Sequence, residues 1–153
     1  MASSAAAATG PTEEFRYPGN RLGLPEDGPG SVATWGRRLL ALLIDWLIAG
    51  LIASVVMGRP MWAGGSDYSL MHSTVFFATT AILTGLAGGT IGHRICGLRV
   101  VPVRDLKTYT APPGLLAGIV RALLISFLIP AVIFDRDRRG LHDLAARTVV
   151  VLR

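Results

Sequence analysis

Arg37-Arg38-Leu39-Leu40-Ala41-Leu42-Leu43-Ile44-Asp45-Trp46-Leu47-Ile48-Ala49-Gly50-Leu51-Ile52-Ala53-Ser54-Val55-Val56-Met57 holds a single acid within an apolar run that opens on two arginines. At about 1.5 Å per residue, the part from Leu39 to Met57 makes a helix about 28 Å long, close to the hydrocarbon thickness of a bilayer. A carboxylate there is disfavoured by about 2.5–3.5 kcal/mol on insertion scales, so it requires a partner, a cavity or a proton. Asp45 is therefore the residue whose environment has to be explained. Gly58-Arg59-Pro60 ends the run, because proline cannot continue a helix. Trp35 and Trp62 flank it as interfacial aromatics do.

Outward from this span the chain stays apolar. Of its 153 residues 51% are hydrophobic and 16% charged, with mean hydropathy +0.50. Soluble domains carry about 25% charged residues, so the balance indicates a membrane protein with one domain's worth of chain. The net charge of +5 does not indicate nucleic acid, because the basic residues flank apolar runs instead of interleaving with aromatics. A second span is expected over about residues 70–91 and a third apolar run over about 114–134, with Pro112-Pro113 ahead of it. Leu98–Val103 is β-branched but contains Pro102, so at best it is an edge strand. Residues 1–33 are rich in Ala, Pro and Gly and read as a disordered tail, leaving 35–152 as the membrane domain. The N-terminus lacks the charged and apolar regions of a cleavable signal, so the first span is expected to act as an uncleaved anchor.

Orientation follows from arginines and lysines in the short flanks. Arg37 and Arg38 precede the first span and Arg94, Arg99, Arg104 and Lys107 follow the second, whereas only Arg59 lies between them. This places the N-terminus and second loop in the cytoplasm. The third run presents a conflict. If it crosses, Arg136, Arg138, Arg139, Arg147 and Arg153 lie outside; if not, it is kinked, re-entrant or interfacial, with Pro130 and Arg121 as break points. Pairing of the runs around Val100 and Val149 as a small cytoplasmic strand pair favours the second alternative. The fold class is thus an all-α membrane protein of three apolar helices with a disordered N-terminal tail and that small strand pair.

Three blocks resemble the RDD family of bacterial membrane proteins, named for one arginine and two aspartates. They are Arg38-Leu-Leu-Ala41-Leu-Leu-Ile44-Asp45, then Gly89-Thr90-Ile-Gly92-His-Arg-Ile-Cys-Gly97-Leu98-Arg-Val100-Val101, and finally Arg138-Arg139-Gly-Leu141-His142-Asp143-Leu-Ala145-Ala-Arg-Thr148-Val149-Val150. The resemblance covers about residues 35–152, and the tail ending in Gly-Pro-Gly-Ser is similar to the actinobacterial branch. It implies that Arg38, Asp45 and Asp143 are the name-giving residues, in a bacterial inner-membrane protein for which transport is the usual guess.

Arg38 and Asp45 lie seven positions apart. They share a helix face but sit about 10.5 Å apart along the axis, too far for a direct salt bridge without strong snorkelling. Asp143 or Arg121 from a neighbouring segment is the candidate link. The resulting Arg38–Asp45–Asp143–Arg121 network has two readings: an ion or proton relay, or a polar staple that fixes helix packing. Gly85, Gly88, Gly89 and Gly92 form small-xxx-small pairs suited to close helix approach, within the chain or between subunits. They lack the Gly-Lys-Ser/Thr ending of a phosphate loop.

His72, His93 and His142 lack ligand-like spacing, and Cys96 is the only cysteine, so neither a metal nor another cofactor is expected. No nucleophile or paired-carboxylate motif appears, so no enzyme activity is expected. The expected partners are the lipid bilayer and further copies of the chain or another membrane protein. The leading function is a transport-related or ion-coupled module; the alternative is a non-catalytic scaffold or assembly subunit of a membrane complex.

Overall fold

The computed structural model describes residues 15–106, 111–127 and 137–153. Among them, α1 (Trp35–Met57) and α2 (Ser66–Ala87) are the two helices long and apolar enough to cross a membrane. α3 (Ile91–Ile95), β1 (Leu98–Pro102), α4 (Leu115–Ser126), α5 (Leu141–Ala145) and β2 (Thr148–Leu152) follow. Gly58 ends α1 in the left-handed conformation at φ 62°, its N–H returning to the carbonyls of Ser54 and Val55. α2 begins a turn earlier and ends sooner than hydropathy indicates, because Gly88 at φ 67° closes it with its N–H on Leu83 and Thr84.

The inward face of α1 is small. Ala41, Ala49 and Ala53 are buried at intervals of four or eight, and Asp45 falls on the same stripe between them. α4 crosses α2 at backbone contact: a Cβ on Gly85 would come within 2.7 Å of the Leu115 Cα, and one on Gly118 would strike the Ala81 carbonyl. Gly118, Arg121, Ala122 and Ile125 form the buried stripe of α4, and Ile125 meets Ala49 and Phe76 in the middle of the bundle.

β1 and β2 pair antiparallel, with Val100 opposite Val150. Both faces of this pair are covered. Val101, Val149 and Val151 pack on Leu24 and Val32, whereas Leu98, Val100 and Val150 pack on Ala33 and Ala41. The Gly30 and Ala33 N–H groups bond the carbonyls of Leu152 and Val150, and the Leu152 N–H bonds Ser31, so this segment lines β2 as β1 does on the other side. Residues 15–33, expected to be tail, are thus laid on the sheet. Leu24 and Val32 provide the buried side chains that their overall composition conceals. Residues 1–14 lie outside the described residues.

One sheet therefore gathers the chain before α1, the chain after α2 and the C-terminus at the same end of the bundle. α4 also starts there, where the Gly114 N–H bonds the Gly85 carbonyl, and Asp137 returns there to the Gly19 N–H at 3.2 Å. At about 1.5 Å per residue the twelve residues of α4 cover about 18 Å, short of the roughly 30 Å core. Residues 128–136, which include Pro130 and the end of the third apolar run, lie outside the described residues.

Candidate functional site

Two polar clusters occupy the sheet end of the bundle. In the first, the carboxylate of Asp143, on α5, is fully buried between two guanidiniums. Arg38 from the first turn of α1 donates to its Oδ2 at 2.6 Å, and Arg121 from the middle of α4 donates to its Oδ1. Arg38 also donates to the carbonyls of Ala33 and Val150, each at 3.2 Å. Arg121 donates to Thr148 Oγ1 at 2.8 Å, while its Nε has no hydrogen-bond partner. One acid thus holds α1, α4, α5 and β2 together through charge-assisted bonds.

The second cluster surrounds Asp45. Thr90, the N-cap of α3, donates its hydroxyl to Asp45 Oδ2, and the Gly92 N–H donates to Oδ1 at 2.7 Å. Asp45 thereby satisfies the exposed N–H end of α3 from across the helix interface. Gly92 is required for that approach: a Cβ there would strike the Ala41 carbonyl and lie 2.9 Å from the Asp45 Cγ. Thr90 Oγ1 also accepts from the His93 backbone N–H at 3.2 Å and touches His93 Nδ1 at 2.5 Å, and Nδ1 lies 3.9 Å from Asp45 Oδ2.

His93 lies past the end of α2, outside the two spans. Burial pushes its imidazole down to about 3, and the guanidiniums of Arg121 and Arg38 push the same way, so it is neutral at physiological pH. The two clusters are therefore joined by field at His93, without a direct bond between Asp45 and either arginine among the described residues. Arg38, Asp143 and Arg121 come together, and Asp45 stands apart on α1, bonded to the start of α3. Thr90, Thr148 and His93 were not among the residues singled out for this network. Thr90 and His93 stand in the second family-like block and Thr148 in the third, but the decisive donor on Gly92 is a backbone group.

The glycine face divides between two functions. Gly85 serves the α2–α4 crossing and Gly92 the α1–α3 contact, whereas Gly88 and Gly89, at φ 67° and 155°, form the turn that separates α2 from α3. At Cys96, burial pushes the thiol up, the Asp45 carboxylate adds to this, and Arg37 opposes it. Among the described residues no group of His, Cys, Asp and Glu is placed to hold a metal ion.

Farther along α1 and α2, the Tyr68 hydroxyl donates to the Gly50 carbonyl at 2.8 Å and His72 Nε2 bonds the Trp46 carbonyl at 3.0 Å. Trp46, His72 and Phe76 line an apolar cleft of about 440 Å³ bounded by the end of α4.

No solved structure matches the chain. The uncharacterized membrane protein YteJ of Bacillus subtilis (strain 168) is 30% identical over 126 residues, covering 74% of this chain and 77% of that protein. The RDD family profile matches residues 32–147, a span that includes Arg38, Asp45, Thr90, His93, Arg121 and Asp143. The chain is a membrane protein and belongs to the RDD family.

Proposed function

We propose that this chain is a transport-related module coupled to protons, in which Asp45, Thr90 and His93 carry the proton and Arg38, Asp143 and Arg121 fix the frame. The supporting observation is the hydrogen-bonded row from His93 Nδ1 through Thr90 Oγ1 to Asp45 Oδ2. With Asp45 ionised, Nδ1–H donates to Thr90 and Thr90 donates to the carboxylate. With Asp45 protonated, its O–H donates to Thr90, Thr90 donates to Nδ1, and the imidazole proton sits on Nε2. The second arrangement holds one proton more than the first: uptake at Nε2 lets the Nδ1 proton pass to Thr90 and the Thr90 proton pass to Asp45, and release from Asp45, followed by reorientation of the Thr90 hydroxyl and tautomer exchange of the imidazole, restores the first.

Charge count supports the same reading. Arg38 and Arg121 balance Asp143 and Asp45 when both acids are ionised, and protonating Asp45 leaves one excess positive charge in the interior. α1, α2 and the short α4 enclose too little to form a solute path alone, so the working unit is an oligomer or a complex with another membrane protein. The sheet end faces the cytoplasm of the bacterial inner membrane, by the distribution of arginines.

The test is proton flux into proteoliposomes after an external acid pulse, read by a trapped pH dye, with a sodium-gradient arm. Wild type collapses the gradient, whereas Asp45→Asn, shown to be folded by its circular dichroism and elution profile, does not. Absence of flux in wild type, with a co-purifying membrane partner lost in the variant, would replace this reading with an assembly subunit.

A further inference from the structure

At the sheet end, on the outer side of α4, a cavity of about 750 Å³ opens between that helix and the chain around β1 and α5. Arg104, Arg139 and Arg147 line it together with Pro113, Leu116 and Ala117. The three cations come from separate segments: the turn after β1, the chain before α5, and the residue between α5 and β2. Arg147 is held in the left-handed conformation at φ 50°, with its N–H on Leu144 and its carbonyl accepting from Val103. Arg104 and Arg147 are exposed and form no ion pair among the described residues.

The apolar wall does not stop at the cavity. Leu116, Leu123 and Phe127 are 77%, 47% and 71% exposed and lie at i, i+7 and i+11 along α4 and its C-cap. They form one outward stripe about 16 Å long, running from the cationic mouth away from the sheet. We propose that this cavity binds an anionic phospholipid, with its headgroup phosphate among Arg104, Arg139 and Arg147 and an acyl chain along the stripe. Charge complementarity selects the phosphate, and the continuous stripe selects a lipid over a free anion or an acidic peptide. A second three-arginine cleft, formed by Arg94, Arg99 and Arg153, measures about 210 Å³ and has Ala87, Gly88 and Leu98 as its other lining. It has less than a third of the volume and provides an internal control.

The experiment is native mass spectrometry of the full chain in dodecyl maltoside, titrated with palmitoyl-oleoyl phosphatidylglycerol, with the matching phosphatidylcholine, and with inorganic phosphate. Phosphatidylglycerol should bind in preference to phosphatidylcholine. Arg104→Gln with Arg147→Gln should weaken it about thirtyfold, at about fivefold per arginine, while Arg94→Gln with Arg153→Gln changes it less than about twofold. Leu116→Ser, at an exposed position that leaves every arginine in place, should also weaken lipid retention. Equal binding of the two lipids, equal loss in both double variants, unchanged retention in Leu116→Ser, or displacement of the lipid by equimolar phosphate would each overturn the proposal.

Discussion

Replacing Asp143 by Asn removes the only carboxylate that touches Arg38 or Arg121 among the described residues. The side chains of Arg38, Arg121 and Asp143 are 9%, 2% and 0% exposed, so water cannot take over the lost interaction. Breaking a buried pair from one side costs about 3–5 kcal/mol, and here two cations are left facing each other. Arg121→Met is the informative contrast. It leaves Asp143 bonded to Arg38 at 2.6 Å and removes a guanidinium whose Nε has no hydrogen-bond partner. Replacing a buried cation by an apolar side chain of similar length should cost less than about 1.5 kcal/mol. Combined with Asp143→Asn, it should recover at least about 1 kcal/mol, since one of the two orphaned charges is gone. Denaturant unfolding in micelles, followed by circular dichroism, measures all three variants. The reasoning fails if Arg121→Met costs as much as Asp143→Asn, or if the double variant is additive.

Other consequences follow from the same geometry. Gly85→Ala should cost about 1–3 kcal/mol by overpacking against the Leu115 backbone, whereas Gly36→Ala, with nothing within 4 Å of its Cβ, should be neutral or slightly stabilising; thermal unfolding compares them. His93 titrates near 6.5 when unfolded and near 3 when folded, so between these values the unfolded chain holds the extra proton. Stability should therefore fall on acidification through this window by up to about 1.4 kcal/mol per pH unit, and His93→Gln should flatten the slope. Single cysteines placed at Arg21 and Arg153 should be labelled by a membrane-impermeant maleimide from one side and a cysteine at Arg59 from the other, in a Cys96→Ser background; Arg153 sharing a side with Arg59 would refute the common sheet end.

The span from Leu39 to Met57 is legible because Gly58-Arg59-Pro60 punctuates a run that has no other way to bury itself, although the helix starts a turn earlier, at Trp35. The β-branched runs around Val100 and Val149 identify their own partners, since a two-stranded contact is the simplest use for both. Arg121 is legible as a partner for an acid because an arginine inside an apolar run needs one. The surroundings of Asp45 are not. Its donors are the Thr90 hydroxyl and the N–H of Gly92, and a backbone group leaves no mark in composition or spacing. Seven-residue spacing points Arg38 and Asp45 along one face, yet each finds a nearer partner on a different segment. The packing of residues 15–33 is hidden for another reason. Leu24 and Val32 do the burying there, and two side chains cannot shift the average of a stretch dominated by glycine and proline. The end of α2 is hidden by Gly88 and Gly89, which look like packing residues until the backbone is seen to turn.

The proposed relay requires Asp45 to gain and lose a proton in concert with the His93 imidazole. Infrared difference spectroscopy of the reconstituted protein, with carbon-labelled aspartate and titrated between acid and neutral pH, observes that proton directly. A protonated-carboxyl band that vanishes in Asp45→Asn and titrates at a different pH in His93→Gln is the predicted result. A wild-type spectrum in which Asp45 keeps one protonation state throughout, or titrates identically without His93, would contradict it.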